Sequence, residues 1–317
     1  MPESDFNPAQ VRQLLDRSAF FRELKPAEKD RLARLDGALR RYDTGEVFLQ
    51  TDAPAREFLL LLSGEAAVVR GDRPPGCLLS GNLLGEEAFF AGGEQDIRIT
   101  AATSSLAFAF DRAALEELGA DIREKIKDAV ALKLFERLAA QNARMAESRG
   151  TAVRIPEQTK TRMRLKIDPQ ELTPSHILQL IGKLSFFDAF SKYEKRRLAA
   201  VGACIKLFQG GEAIVREGGT DRSFYILLDG CATVSVKRNA TMLNILQTGD
   251  FFGEVTFFSG RPRTTTVHAD GPVVAVEVGE ALFSGLGVAI RERFKDAVLA
   301  GLIRRLEQQQ RDLAKLR

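Results

Sequence analysis

The chain is poor in the residues from which most enzyme and metal sites are built. It has two histidines and three cysteines in 317 residues. His176 and His268 lie far apart, one at a helix start and one in a strand-like run, with no partner pattern for metal ligation or acid–base work. Cys77, Cys204 and Cys231 are scattered, odd in number and without a Cys-x-x-Cys pair. That argues against a disulfide framework or a zinc site and favours a reducing, cytoplasmic compartment. Ser-His-Asp, Cys-His, paired-carboxylate and Gly-x-x-x-x-Gly-Lys-Ser/Thr arrangements are missing, so the expectation is a non-enzyme with no catalytic residues, no metal and no cofactor. A large charge imbalance is missing too: 46 basic residues against 43 acidic ones leave +3, which does not advertise a polyanion, and nucleic acid is not an expected partner. No apolar run is long enough to span a bilayer, and the polar start Met1-Pro2-Glu3-Ser4-Asp5 lacks the basic and apolar regions of a secretory signal.

What the chain does have is self-similarity. Phe20-Phe21 with Glu28-Lys29 recurs as Phe186-Phe187 with Glu194-Lys195, a shift of 166 residues. The same shift carries Gly45-Glu46-Val47 onto Gly211-Glu212-Ala213 and residues 58–64 onto 224–230. Further on the shift is 168, mapping Gly85-Glu86 onto Gly253-Glu254 and residues 123–130 onto 291–298, so the second copy holds two extra residues between Arg70 and Gly249. A loop tolerates such an insertion. Each copy reads as a helical lead, several short strands bounded by Gly, Asp or Pro, and a long closing helix, near residues 121–147 and 288–317. Many short strands with frequent turns suggest an antiparallel barrel or jelly roll. The fold class is therefore α+β, mainly β: two tandem β-roll or jelly-roll modules, each with flanking helices and a long C-terminal helix. The expected boundaries are a first module over 1–147, a linker over 148–172 with the basic cluster Lys160, Arg162, Arg164 and Lys166, and a second module over 173–317, opened by Thr173 as helix N-cap and Pro174 at the first helical position.

The most informative stretch is residues 252–267, Phe-Gly-Glu-Val-Thr-Phe-Phe-Ser-Gly-Arg-Pro-Arg-Thr-Thr-Thr-Val. Gly253 can take a backbone conformation closed to other residues, and the apolar run after Glu254 can form a short helix. Arg263 supplies a planar donor fork for phosphate oxygens, while Glu254 is acceptor-only and suits a hydroxyl. Both together fit a small anion that carries a hydroxyl. Phe251, Phe252, Phe257 and Phe258 read as barrel core rather than as base-stacking platforms. The alternative for the charged pair is a direct Glu254–Arg263 ion pair closing a roll that binds nothing.

These sixteen residues resemble the phosphate-binding cassette of cyclic nucleotide-binding domains. The resemblance implies a β-roll and a cyclic nucleotide ligand, cyclic AMP or cyclic GMP, with Glu254 on the ribose 2'-hydroxyl and Arg263 on the cyclic phosphate. The binding set is Gly253, Glu254, Val255, Thr256, Arg263, Thr264 and Thr265; Thr264 permits either nucleotide, and cyclic AMP is favoured on the breadth of the family. The first copy keeps Gly85 and Glu86 but has Gln95 at the position of Arg263 and Asp96 at that of Thr264, so it is expected to be degenerate, with Arg98 a substitute only if the loop bulges. The seam of the closing helix, with Leu299, Leu302, Ile303 and Leu306, is expected either to cover the base as a lid or to pair two chains as a homodimer; Gln309 interrupts it. The expected function is a cyclic nucleotide receptor that signals by conformational change to an unknown effector protein, resembling the regulatory subunits of cyclic-nucleotide-dependent kinases. The competing expectation is a ligand-independent scaffold on the same fold.

Overall fold

The structure is a computed structural model that describes residues 6–50, 56–69, 76–92, 97–149, 173–200, 204–236 and 241–315. The chain divides into two compact units, Met1–Leu134 and Phe135–Arg317. In the first, helices α1 (Pro8–Arg17) and α2 (Pro26–Ala33) precede strands β1 (Leu39–Tyr42), β2 (Val47–Leu49), β3 (Glu57–Ser63), β4 (Glu65–Val69), β5 (Gly76–Leu79) and β6 (Leu83–Leu84). Helix α3 (Glu86–Ala91), strands β7 (Arg98–Ala101) and β8 (Ser105–Asp111), helix α4 (Arg112–Glu117) and the long helix α5 (Ala120–Arg149) follow, and α5 continues into the second unit. That unit repeats the order with α6 (Pro174–Gly182), α7 (Lys192–Ala200), β9 (Ile205–Phe208), β10 (Ala213–Val215), β11 (Ser223–Asp229), β12 (Ala232–Val236), β13 (Thr241–Leu246) and β14 (Phe251–Phe252). It closes with α8 (Glu254–Ser259), β15 (Thr266–Ala269), β16 (Val273–Gly279), α9 (Glu280–Gly285) and α10 (Val288–Lys315).

Each unit holds two antiparallel four-stranded sheets, ordered β1-β8-β3-β6 with β2-β7-β4-β5, and β9-β16-β11-β14 with β10-β15-β12-β13. Corresponding strands occupy corresponding places. The repeat extends to register: Phe58 faces Phe110 as Phe224 faces Val278, and Ala66 faces Leu78 as Ala232 faces Leu246. The last pair puts the two-residue insertion in the β12–β13 hairpin. Two β-rolls with flanking and closing helices are thus the architecture. The expected linker lies outside the described residues except for its first two positions, which finish α5.

The central strands are buried on both faces, which is why β11 reads as an unbroken apolar run rather than an alternating one. Tyr225 and Leu227 join Val215, Val267 and Ala275 inside the roll. Phe224, on the other face, meets Phe257 of α8 at 5.0 Å and Phe294 of α10 at 6.1 Å. The first unit does the same with Phe58 of β3 against Phe89 of α3 at 5.1 Å. Most of the phenylalanines therefore serve to bolt helices onto the sheet, and each fully buried one stabilises by about 1.5–3 kcal/mol. A polar pin recurs beside this layer. Lys125 of α5 donates to both carboxylate oxygens of Glu28 at 2.7 Å, and Arg293 of α10 pairs with Glu194 at the matching positions.

Candidate functional site

Between β14 and α8 the chain turns on Gly253, whose φ is 85°. Any L side chain is strained there, and a Cβ would also stand 2.5 Å from Nη1 of Arg263. The glycine is what lets the guanidinium reach the backbone. Arg263 Nη1 donates to the Gly253 carbonyl at 2.6 Å, and Nη2 donates to the Ser223 carbonyl at 2.6 Å and to the Asp221 carboxylate. Longer bonds run from Nε to Asp221 Oδ1 at 3.4 Å and from Nη2 to Ser223 Oγ at 3.2 Å. The Arg263 side chain is only 2% exposed. One Nη1 hydrogen lies outside these bonds, because each guanidinium carries five.

Asp221 is the counter-charge. Burial pushes its pKa up, but the hydrogen bond and charge of Arg263, with the Ser223 hydroxyl, hold it below the ordinary aspartate value. Its other side opens on a cavity of about 870 Å³ that is also lined by Arg216, Ser223, Tyr225 and Glu277, which keeps the carboxylate solvated. Burial first, and then the Glu277 carboxylate that accepts the Tyr225 hydroxyl hydrogen at 2.9 Å, push Tyr225 up to about 12. Tyr225 is therefore a neutral donor whose ring stacks on Phe252 at 5.3 Å, fixing the strand that leads into the cassette.

Glu254, 4% exposed at the first position of α8, has a different cation. Arg305 of α10 donates from Nη1 to Glu254 Oε1 at 3.1 Å and from Nη2 to the Phe251 carbonyl, and its guanidinium lies 4.5 Å over the Phe251 ring. Gly301, one turn earlier, admits that ring; a Cβ there would stand 2.2 Å from Phe251 Cε1. The direct Glu254–Arg263 pair is not the arrangement: Glu254 is held by Arg305 and Arg263 by Asp221. Thr256 is buried, Val255 and Thr265 are half-buried, and Thr264 is exposed. Leu299, Leu302, Ile303 and Leu306 are at most 1% exposed along α10.

In the first unit Gly85 has the same left-handed turn, φ 82°, and Glu86 is 3% exposed at the start of α3. Gln95 and Asp96 lie outside the described residues, and Arg98 sits in β7 opposite Val69 with its side chain exposed. The 166 shift sets Ala55 against Asp221 and Glu57 against Ser223. Glu57 is engaged by both terminal nitrogens of Arg40 at 2.6 and 2.8 Å. Asp221, Ser223 and Arg305 are site residues that the sequence motif does not contain. They come to the cassette from 42, 40 and 51 residues away respectively, counting the first two from Arg263 and the third from Glu254. The detectable signal was the repeat itself, since the two copies differ at the arginine and at the two side chains, those of Asp221 and Ser223, that accept from it. The basic cluster from Lys160 to Lys166 lies outside the described residues. Among the described residues no group of three or more potential metal ligands converges, and no helix is long and apolar enough to cross a membrane.

The cyclic nucleotide-binding domain family matches twice, over residues 39–121 and 205–286, together more than half of the chain. A cGMP-dependent protein kinase from Eimeria tenella is 32% identical over 125 residues, a stretch that is 39% of this chain and 12% of that kinase. Among solved structures, the regulatory subunit of a cAMP-independent protein kinase A from Trypanosoma brucei aligns at 17% identity and TM-score 0.32, covering 98% of this chain and 91% of that one. The regulatory domain of Toxoplasma gondii protein kinase A, crystallised with cAMP, aligns at 15% and TM-score 0.31, covering 98% of each. With a doubled β-roll, a cassette turn in each copy and both copies matched, the chain belongs to the cyclic nucleotide-binding domain family.

Proposed function

We propose that this protein is a cyclic nucleotide receptor in which only the second module binds, cyclic AMP in preference to cyclic GMP, and that binding is signalled to a partner protein through α10. The carrying observation is the buried Arg263 guanidinium, oriented by Asp221, Ser223 and Gly253 and keeping one donor hydrogen for a phosphate oxygen. Glu254 lies at the same turn, and a ribose hydroxyl there competes with Arg305 for its carboxylate. The first module has Gln95 in place of the arginine and Ala55 and Glu57 in place of its holders, a set with no cation to anchor a phosphate. A ligand moves α10 only through its different affinity for the two helix positions, and displacement of Arg305 supplies that difference.

Titration calorimetry with cyclic AMP and cyclic GMP tests this reading. One site per chain is expected. Loss of a desolvated charge contact costs roughly 2–5 kcal/mol, so Arg263→Ala should weaken binding by about 30-fold or more. Heat of binding from neither nucleotide would instead leave the ligand-independent scaffold.

A further inference from the structure

The closing helices carry the same buried stripe: Val130, Leu134 and Leu138 of α5 match Val298, Leu302 and Leu306 of α10, and all are at most 7% exposed. One turn further, both stripes change from aliphatic to amide, at Gln141 and Gln309. Gln309 Nε2 donates to Asn142 Oδ1 at 2.7 Å, tying α10 to the C-terminal half of α5 within the second unit. The side-chain oxygens of Gln141 and Gln309 are both buried without a hydrogen-bond partner. Each buried acceptor left unmet costs free energy in the present arrangement of the two helices. On α10, Gln309 lies one turn beyond Arg305, the residue that holds Glu254. The same short segment is thus fastened at one end to the ligand site and at the other to α5.

We propose that the Asn142–Gln309 amide pair is a latch that passes occupancy of the second module's nucleotide site to helix α5. This rests on the receptor reading above, in that a nucleotide hydroxyl displaces Arg305 from Glu254. When Arg305 lets go, the last turns of α10 move against α5, and the amide pair transmits the movement because it fixes one helix to the other. α5 is a continuous helix that begins in the first unit, where Lys125 is pinned to Glu28. It therefore reports the state of the second module at residues far from the ligand.

The test is hydrogen exchange on the full chain, read at the cassette and at residues 135–144 of α5, with and without saturating cyclic AMP. In the wild type a severalfold change is expected at both places. In Asn142→Leu, which places a strong helix former at the position, the cassette change should persist and the α5 change should disappear. An undiminished α5 response in Asn142→Leu, or none in the saturated wild type, overturns the latch. Should Asn142→Leu unfold, Gln309→Leu removes the other half of the pair and is read the same way. If calorimetry shows that neither nucleotide binds, the receptor reading fails, and the latch is then tested by Arg305→Ala in nucleotide-free protein. That variant should alter exchange at residues 135–144 when Asn142 is present and leave it unchanged in Asn142→Leu; no alteration in either background overturns the latch.

Discussion

At the scale of single residues, Gly253 and Arg263 are one device. The carbonyl of Gly253 accepts from the arginine, and the missing Cβ is what leaves room for it. Gly253→Ala must force an alanine into left-handed backbone, at about 1–2 kcal/mol, and also push the guanidinium off its acceptors. Gly260, with φ 67° and no atom within 4 Å of where a methyl would stand, carries the first cost alone. Calorimetry should therefore show affinity for cyclic AMP falling by more than tenfold in Gly253→Ala and staying within a few fold in Gly260→Ala. Equal losses would mean that the turn, not the approach to Arg263, sets affinity. Within the candidate site, Gly253, Glu254 and Arg263 were legible in the sequence because the turn, the carboxylate and the arginine fall in one short stretch. Asp221, Ser223 and Arg305 were not, since only the pairing of β11 with β14 and the return of α10 bring them to the cassette.

At the scale of elements, the strands and closing helices could be read ahead of the structure for a physical reason: a strand buried on both faces is a short apolar run, and a helix bolted to a sheet shows three-and-four spacing. The pins between helices could not be read that way, because a glutamate on α7 does not reveal which cation meets it. Glu194 illustrates the consequence. Burial raises its pKa, but Ser191 and Arg293 outweigh that and bring it below the ordinary glutamate value. A carboxylate depressed in the folded state stabilises fully above its unfolded pKa and loses that contribution as pH falls through the folded value. Urea midpoints of the wild type should therefore decline from about pH 5 towards pH 3, and Glu194→Gln should be less stable at neutral pH with a shallower decline over the same window. An unchanged slope would remove Glu194 from the account. The α10–Phe251 contact makes a second prediction. Alanine raises helix propensity over glycine by about 1 kcal/mol, yet at Gly301 the methyl would meet a buried ring, so Gly301→Ala should lower the melting temperature. Gly182→Ala, at the end of α6 with open space around it, should leave the temperature unchanged or slightly raised.

At the scale of the whole molecule, the two modules are one fold carrying unequal chemistry, and the inequality is coordinated. Where the second copy has Asp221, Ser223 and Arg263, the first has Ala55, Glu57 and Gln95. The first copy has also redirected Glu57 to Arg40 at its own sheet edge. A guanidinium introduced at position 95 would find no aspartate to orient it, a glutamate already engaged elsewhere, and Asp96 where the second copy has Thr264. Desolvating that charge without a matched acceptor set is costly. Gln95→Arg alone should therefore leave the calorimetric stoichiometry at one nucleotide per chain, and adding Arg263→Ala should reduce the doubly substituted protein to the weak binding of Arg263→Ala by itself. A second site appearing with Gln95→Arg would show that the fold needs only the arginine, and that Asp221 and Ser223 are dispensable holders. Persistence of one site locates the binding competence in the matched set of three residues.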